Sequence, residues 1–219
     1  MVYTIIAADS GLEAAELYKK TYDIEIDMIV GDMDSLKNTA LLDLYPKTMI
    51  RRLDAAKDYT DTETALMEAV RIRQLHTHIP LELVLIGGGG GRVDHLFGIQ
   101  RLLGSALSPD YWLVQNQLIW LMDGETQRHT AVVSGLAAGD LVSTFAVPGY
   151  REYHIHAEGL CWPLETVDWN GWGRSISNWA DDDAPRRGVV LSAERGVFYS
   201  VIALQAGISV HRTSGGSRL

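Results

Sequence analysis

In the first half of the 219-residue chain, apolar positions come in short solid runs separated by stretches with helical spacing. That alternation predicts a mostly parallel sheet with crossover helices. Residues 2–7 read as a strand buried on both faces, and Leu12, Ala15, Tyr18 and Tyr22 form one stripe of a helix over 12–22. Strands are expected at 27–30 and 49–53, then a helix over about 61–75 with Leu66, Ala69 and Val70 facing inward. Thr60 and Glu63 have the spacing of a capping box, which sets the start of that helix. The clearest strand, 81–86, ends in the glycine run 87–91. A helix carrying Leu96, Ile99, Leu102 and Leu103 follows, and strands at 111–114 and 118–122 close this half.

From about Gly124 the pattern changes. Runs at 130–133, 141–145, 153–156, 188–191, 197–204 and 208–211 are divided by turn residues without helical period between them. Closely spaced short strands of this kind predict an antiparallel sandwich or barrel. The expected fold is therefore α/β: a Rossmann-like three-layer domain over 1–125, then a β-sandwich or barrel domain over 126–219. Four of the six tryptophans, Trp162, Trp169, Trp172 and Trp179, crowd into a segment with neither helical nor strand period. A covered loop or a subunit interface is the expectation for most of them. Trp162 and Trp179 are the candidates for stacking on a cationic ring.

Composition narrows the class. Hydrophobic residues at 47% and charged residues at 21% are those of an ordinary folded protein. No apolar run approaches the roughly 18–20 residues that span a bilayer. The N-terminal MVYTIIAADSG lacks a basic segment and a small-residue cleavage site, so a cytoplasmic protein with no membrane partner is expected. The single cysteine, Cys161, can form neither an internal disulfide nor a thiolate metal cage. A formal net charge of −9 disfavours nucleic acid as a partner.

Where the acids lie matters more than their sum. Ligands of open parallel sheets bind beyond the carboxyl ends of the strands. The loops expected there contain Asp9-Ser10-Gly11, Gly31-Asp32-Met33-Asp34-Ser35, Lys57-Asp58-Tyr59-Thr60-Asp61, and Gly88 through Arg92 followed by Asp94-His95. Six aspartates, Asp9, Asp32, Asp34, Asp58, Asp61 and Asp94, are thus expected on one edge. Such a group repels itself unless cations neutralise it, and magnesium with phosphate oxygens does so well. Phosphate chemistry is the natural inference. The glycine run is neither a Walker A motif nor a dinucleotide fingerprint, but it offers backbone N–H groups to phosphate, with Arg92 and Lys57 as charge-assisted donors. His95 is either a phosphate donor or a helix-start residue. His154 and His156 alternate on one strand and are expected to be satisfied or exposed rather than metal ligands.

These residues, in this order, resemble the thiamine pyrophosphokinase family. Ala8-Asp9-Ser10-Gly11 is similar to its Ala-Asp-Gly-Gly, Gly31 to Ser35 to its Gly-Asp-Phe-Asp-Ser, and Asp58 to Asp61 to its Asp-x-Thr-Asp. Gly90-Gly91-Arg92-Val93-Asp94-His95 is similar to Gly-Gly-Arg-x-Asp-His. Gly159 to Leu164 and Ser175-Ile176-Ser177-Asn178 resemble Gly-Leu-Lys-Tyr-Pro-Leu and Ser-x-Ser-Asn. The resemblance implies transfer of pyrophosphate from ATP to thiamine, with magnesium as cofactor and a homodimer whose thiamine sites lie between subunits. It implies metal binding by Asp32, Asp34, Asp58 and Asp61, with Asp94 joining them in catalysis. Asp9, Ser10, Gly11, Ser35, Lys57, Gly90, Gly91, Arg92 and His95 are implied to bind ATP, and Ser175, Ser177, Asn178 and Tyr199 to bind thiamine. Asp61 or Asp94 is the expected acceptor of the hydroxyl proton.

The chain also departs from the family pattern. Ser10 replaces a glycine and Met33 a phenylalanine, Ile99 stands where an asparagine is usual, and Tyr199 falls where some relatives have tryptophan. Alternatives are a pyrophosphokinase for another acceptor such as a hydroxymethylpterin, an Asp-x-Asp sugar transferase, or a nucleotide- or thiamine-sensing protein without turnover.

Overall fold

The computed structural model describes residues 3–54, 58–126, 128–205 and 207–214. Internal contacts divide the chain into two compact units, the first ending at Leu81 and the second starting at Glu82.

In the first unit, β1 (Ile6–Ala8), β2 (Met28–Gly31) and β3 (Ile50–Arg52) pair in parallel in that order. Parallel neighbours need crossovers, and here they are α1 (Gly11–Tyr22) between β1 and β2 and two short 3-10 helices, Thr39–Leu44 and Lys47–Met49, between β2 and β3. Alternation along each strand sorts the faces. Ala7, Ile29 and Ile50 join Leu12 of α1 in a core that also takes Met33, Leu36, Leu42 and Tyr45. On the other face Arg51 reaches Glu68 of α2 (Asp61–Leu75) at 3.5 Å. The capping box expected of Thr60 and Glu63 is present, with Glu63 N–H donating to Thr60 Oγ1 at 3.1 Å and Thr60 N–H to Glu63 Oε2 at 2.7 Å. The expected α1 stripe is corrected. Leu12 and Glu16 are buried, whereas Tyr18 and Tyr22 are exposed, because the helix turns its Leu12/Glu16 side to the core.

The second unit holds β4 (Val84–Ile86), α3 (Val93–Leu102), β5 (Tyr111–Val114), β6 (Gln117–Asp123), β7 (His129–Ser134), β8 (Leu141–Ala146) and β9 (His154–Glu158). It continues with β10 (Arg174–Trp179), β11 (Val189–Arg195), β12 (Val197–Ala203) and β13 (Ser209–Ser214). Six strands form one sheet in the order β10-β8-β12-β6-β5-β4, and four form a second in the order β13-β7-β11-β9. Among the described residues of this unit every pairing is antiparallel except β4 with β5. Leu118, Trp120 and Met122 of β6 point with Phe198 and Ile202 into the core shared with Ala131, Val133, Leu191 and Ile155 of the smaller sheet. The intervening Ile119 and Tyr199 point to the opposite face, where Ile99 and Leu103 at the end of α3 cover them.

The change of pattern near residue 125 is therefore not where contacts divide the chain. β4 and β5, expected to continue the first-half sheet, hydrogen-bond onward through β6 into the antiparallel strands and belong to the second unit. One strand, β10, was hidden in the tryptophan-rich segment. A register shift between Ser175 and Asn178, with Ser177 at φ 59°, breaks the period-two alternation that would have revealed it.

Candidate metal centre

The first unit builds its acidic corner from backbone geometry. β1 ends at Ala8, and Asp9 takes a left-handed conformation at φ 47° while its N–H donates to Val30 O at 2.9 Å. Its carbonyl accepts from Leu12 N at 3.0 Å, which turns the chain directly into α1. Beside it β2 ends in Gly31 at φ 147°, where a Cβ would stand 3.2 Å from the N, Cα and Cβ of Asp9. Only a residue without a side chain lets the two strand ends approach so closely. Met33 follows at φ 67° with its side chain buried, so Asp32 and Asp34 flank an apolar anchor. Asp34 N–H donates to Asp32 Oδ1 at 3.2 Å, and Ser35 Oγ donates to Asp34 Oδ1 at 2.9 Å.

One carboxylate oxygen from each of Asp9, Asp32 and Asp34 lies within 4.8 Å of the other two. Asp9 is buried, and its Oδ1 is shut off from solvent with no hydrogen-bond partner among the described residues. A buried carboxylate oxygen without a donor is costly, the more so beside two further acids. A hard divalent cation removes both costs, since such ions take carboxylate oxygens and water. The donor set, all oxygen and partly open to solvent, fits magnesium and does not resemble the nitrogen and sulfur sets of zinc.

The remaining expected residues are distributed more widely. Asp61 opens α2 and Asp58 is exposed just before it, and both fall outside the mutual 4.8 Å of the Asp9 group. Ser10 and Gly11 are exposed at the start of α1. Lys57 lies outside the described residues.

In the second unit the glycine run does two jobs. A Cβ on Gly88 would come 2.3 Å from Ile99 Cδ1, and one on Gly89 2.0 Å from Val114 Cγ2, so these two glycines let the loop lie flat on the core. Gly90 and Gly91 are exposed, with nothing within 4 Å of a Cβ built on either. Arg92 grips Asp94 through both Nε, at 3.1 Å from Oδ1, and Nη2, at 2.6 Å from Oδ2. That bidentate hydrogen bond holds the exposed Asp94 carboxyl below the usual aspartate range. His95 is exposed.

The residues expected to meet thiamine are also in the second unit, and two of them are engaged internally. Asn178 is buried; its Nδ2 donates to Trp162 O at 2.8 Å, while its Oδ1 accepts from Trp162 N at 3.1 Å and Trp179 N at 3.0 Å. Tyr199 is buried in the α3 core, stacked on Phe145 with ring centroids 5.0 Å apart, and its hydroxyl accepts from Gln100 Nε2 at 3.1 Å. Burial pushes its phenol up. Ser177 N–H donates to Ser143 Oγ at 3.1 Å and Ser175 pairs with Thr144 across β8. Trp162 and Trp179 meet with ring centroids 4.1 Å apart, and both are partly open to solvent. His156 is satisfied on the surface, its Nδ1 bonded to Glu165.

Two polar residues of the α1 core, Glu16 and Tyr45, were not among the residues expected from the sequence to matter for this unit. Their hydrogen bond is buried. The available signal was an acid four residues after Leu12, on the apolar side of α1.

A sequence-family profile described as the catalytic domain of thiamin pyrophosphokinase matches residues 2–113, just over half of the chain. None of the curated proteins matches the sequence. Solved structures share the fold. The thiamin pyrophosphokinase family protein of Enterococcus faecalis is 18% identical with a TM-score of 0.68, over 91% of this chain and 88% of that one. Thiamin pyrophosphokinase of Geobacillus thermodenitrificans is 20% identical with a TM-score of 0.64, over 93% and 87%. The yeast enzyme is 14% identical with a TM-score of 0.58, over 92% and 78%.

Proposed function

We propose, because the chain belongs to the thiamin pyrophosphokinase family, that it transfers the terminal pyrophosphoryl group of ATP to the hydroxyl of thiamine, releasing AMP and thiamine diphosphate. The observation that carries this reading is the Asp9, Asp32 and Asp34 group with the orphaned Asp9 Oδ1. In the proposal Asp9, Asp32 and Asp34 hold magnesium, which when bound neutralises charge on the transferring phosphates. The Asp9 main chain is held at the end of β1 by its N–H bond to Val30 O, which keeps its buried carboxyl beside Asp32 and Asp34. Asp32 and Asp34, more open, leave room for water and phosphate oxygens on the solvent side. Because Arg92 engages the Asp94 carboxyl in a bidentate hydrogen bond and holds it low, Asp94 is a poor proton acceptor, and in the proposal Asp61 takes that role. The net charge of −9 favours approach of a cationic acceptor such as thiazolium.

A homodimer and a cytoplasmic location belong to the same proposal. Edge strand β10 and its surroundings expose Trp162, Trp172, Ile176 and Trp179, an apolar surface suited to a second subunit. Among the described residues no helix is long and apolar enough to cross a membrane. A second reading keeps the reaction but changes the acceptor alcohol. The internal engagement of Asn178 and Tyr199 favours it.

Incubation of the purified protein with ATP, magnesium and either thiamine or a hydroxymethylpterin separates the readings. Equal amounts of thiamine diphosphate and AMP are expected. Product from the pterin alone would move the assignment to the second reading, and ADP in place of AMP would end both.

A further inference from the structure

α1 grips the acidic corner at two levels. At its first turn Leu12 N–H is bonded to Asp9 O at 3.0 Å. In the same turn Glu13, and one turn further Glu16, hold the segment that follows Asp34: Asn38 N–H donates to Glu13 Oε1 at 3.0 Å, and Tyr45 Oη donates to Glu16 Oε1. Between these points Met33, Leu36 and Leu42 are buried against the same helix core. Besides the direct pairing of β1 with β2, α1 thus ties the segment after Asp34 to the turn that carries Asp9.

The Glu16–Tyr45 bond is an odd choice if stability is its only purpose. Glu16 and Tyr45 are both buried at the apolar side of α1, where a leucine and a phenylalanine would pack without desolvating a carboxylate. Burial, together with Glu16, pushes the Tyr45 phenol up, so it stays protonated and keeps donating. Lys19 lies over the Tyr45 ring, 5.4 Å from its centroid, and is itself paired with Glu25 at 2.7 Å. Apolar contacts tolerate sliding, but a hydrogen bond with one acceptor and one donor fixes both distance and direction.

We propose that Glu16 and Tyr45 are positioning residues for the divalent-cation site, their buried hydrogen bond setting the placement of Asp32 and Asp34 relative to Asp9. The inference rests on the reading of that carboxylate group as a cation site. Magnesium demands near-ideal octahedral geometry, so small displacements of its ligands are felt as lost affinity.

The test measures manganese binding to the full chain without nucleotide, by electron paramagnetic resonance, alongside thermal unfolding. The variants are Tyr45→Phe, Glu16→Gln and the double variant Glu16→Leu/Tyr45→Phe. The double variant is expected to melt no lower than the parent yet to bind manganese about tenfold more weakly, as for other residues that orient ligands. Tyr45→Phe weakens binding similarly, and Glu16→Gln, which keeps an acceptor for the tyrosine, stays close to the parent. Double and Tyr45→Phe variants that bind manganese as tightly as the parent overturn the inference, as does a loss of binding that only tracks the unfolded fraction. A parent chain that binds no manganese overturns the cation reading itself, and this inference with it.

Discussion

The aspartates that follow β1 and β2 and the aspartate that opens α3 deal with their charge in different ways. Asp94 is exposed and already answered by Arg92 in a bidentate pair. Asp9 is buried with one oxygen unanswered among the described residues, and Asp32 and Asp34 crowd it. A folded chain that answers one carboxylate with a bidentate partner and leaves an oxygen of another unanswered among the described residues gives up stability at the second place, and buried unsatisfied groups of that kind mark functional sites. A cation at the second place would complete the electrostatics of the fold. The same contrast separates Asn178, whose amide is used up on the Trp162 backbone, from Asp9, whose Oδ1 has no hydrogen-bond partner among the described residues.

The largest expected effect comes from emptying the bare site. Asp9→Asn and Asp32→Asn should each lower kcat/KM by roughly a thousandfold, because ligand loss removes several kcal/mol of charge stabilisation. Steady-state kinetics at saturating magnesium measures this, and variants within about tenfold of the parent would erase the contrast. Gly31→Ala comes next. Its Cβ would press at 3.2 Å on Asp9 in a backbone conformation that disfavours side chains, so manganese affinity should fall about tenfold or more.

Structural effects in the satisfied regions are smaller. Asn178→Ala should cost about 2 kcal/mol of stability, since it strands both backbone groups of Trp162. Denaturant unfolding reads this directly, and an unchanged midpoint would show that the amide does not hold that segment. Thr60→Ala should cost about 1 kcal/mol by removing the capping box of α2.

The smallest effect is a titration. Asp94 is depressed by its hydrogen bonds from Arg92, so the pairing is fully present above the ordinary aspartate pKa and is lost as pH falls through the lower, folded value. By NMR its midpoint should lie below that of an ordinary aspartate and move up in Arg92→Gln. No movement would mean the pair does not form in solution.

Much of this was legible in the chain because the signals were local. The Thr60/Glu63 spacing located the start of α2, and the solid run ending at Ile86 located β4. Asp9, Asp32 and Asp34 announced themselves by following expected strands, since a parallel sheet brings successive carboxyl ends to one edge. Sheet membership was not legible. Nothing in Tyr111–Val114 says that β5 will pass its hydrogen bonds to β6 and the antiparallel strands, because pairing partners distant in sequence leave no local pattern. β10 was concealed by its bulge at Ser177. The Glu16–Tyr45 bond spans 29 positions, and only the misplaced acid on an apolar helix face hinted at it.

In the proposed reading the end of β1 and the end of β2 form one cation site. Crystals grown with manganese and a non-hydrolysable ATP analogue, measured near the manganese absorption edge, test it most directly. An anomalous peak is expected about 2.2 Å from Asp9 Oδ1, with Asp32 or Asp34 completing its protein ligands. A peak elsewhere, or an Asp9 Oδ1 occupied by a protein donor instead of a metal, would contradict it.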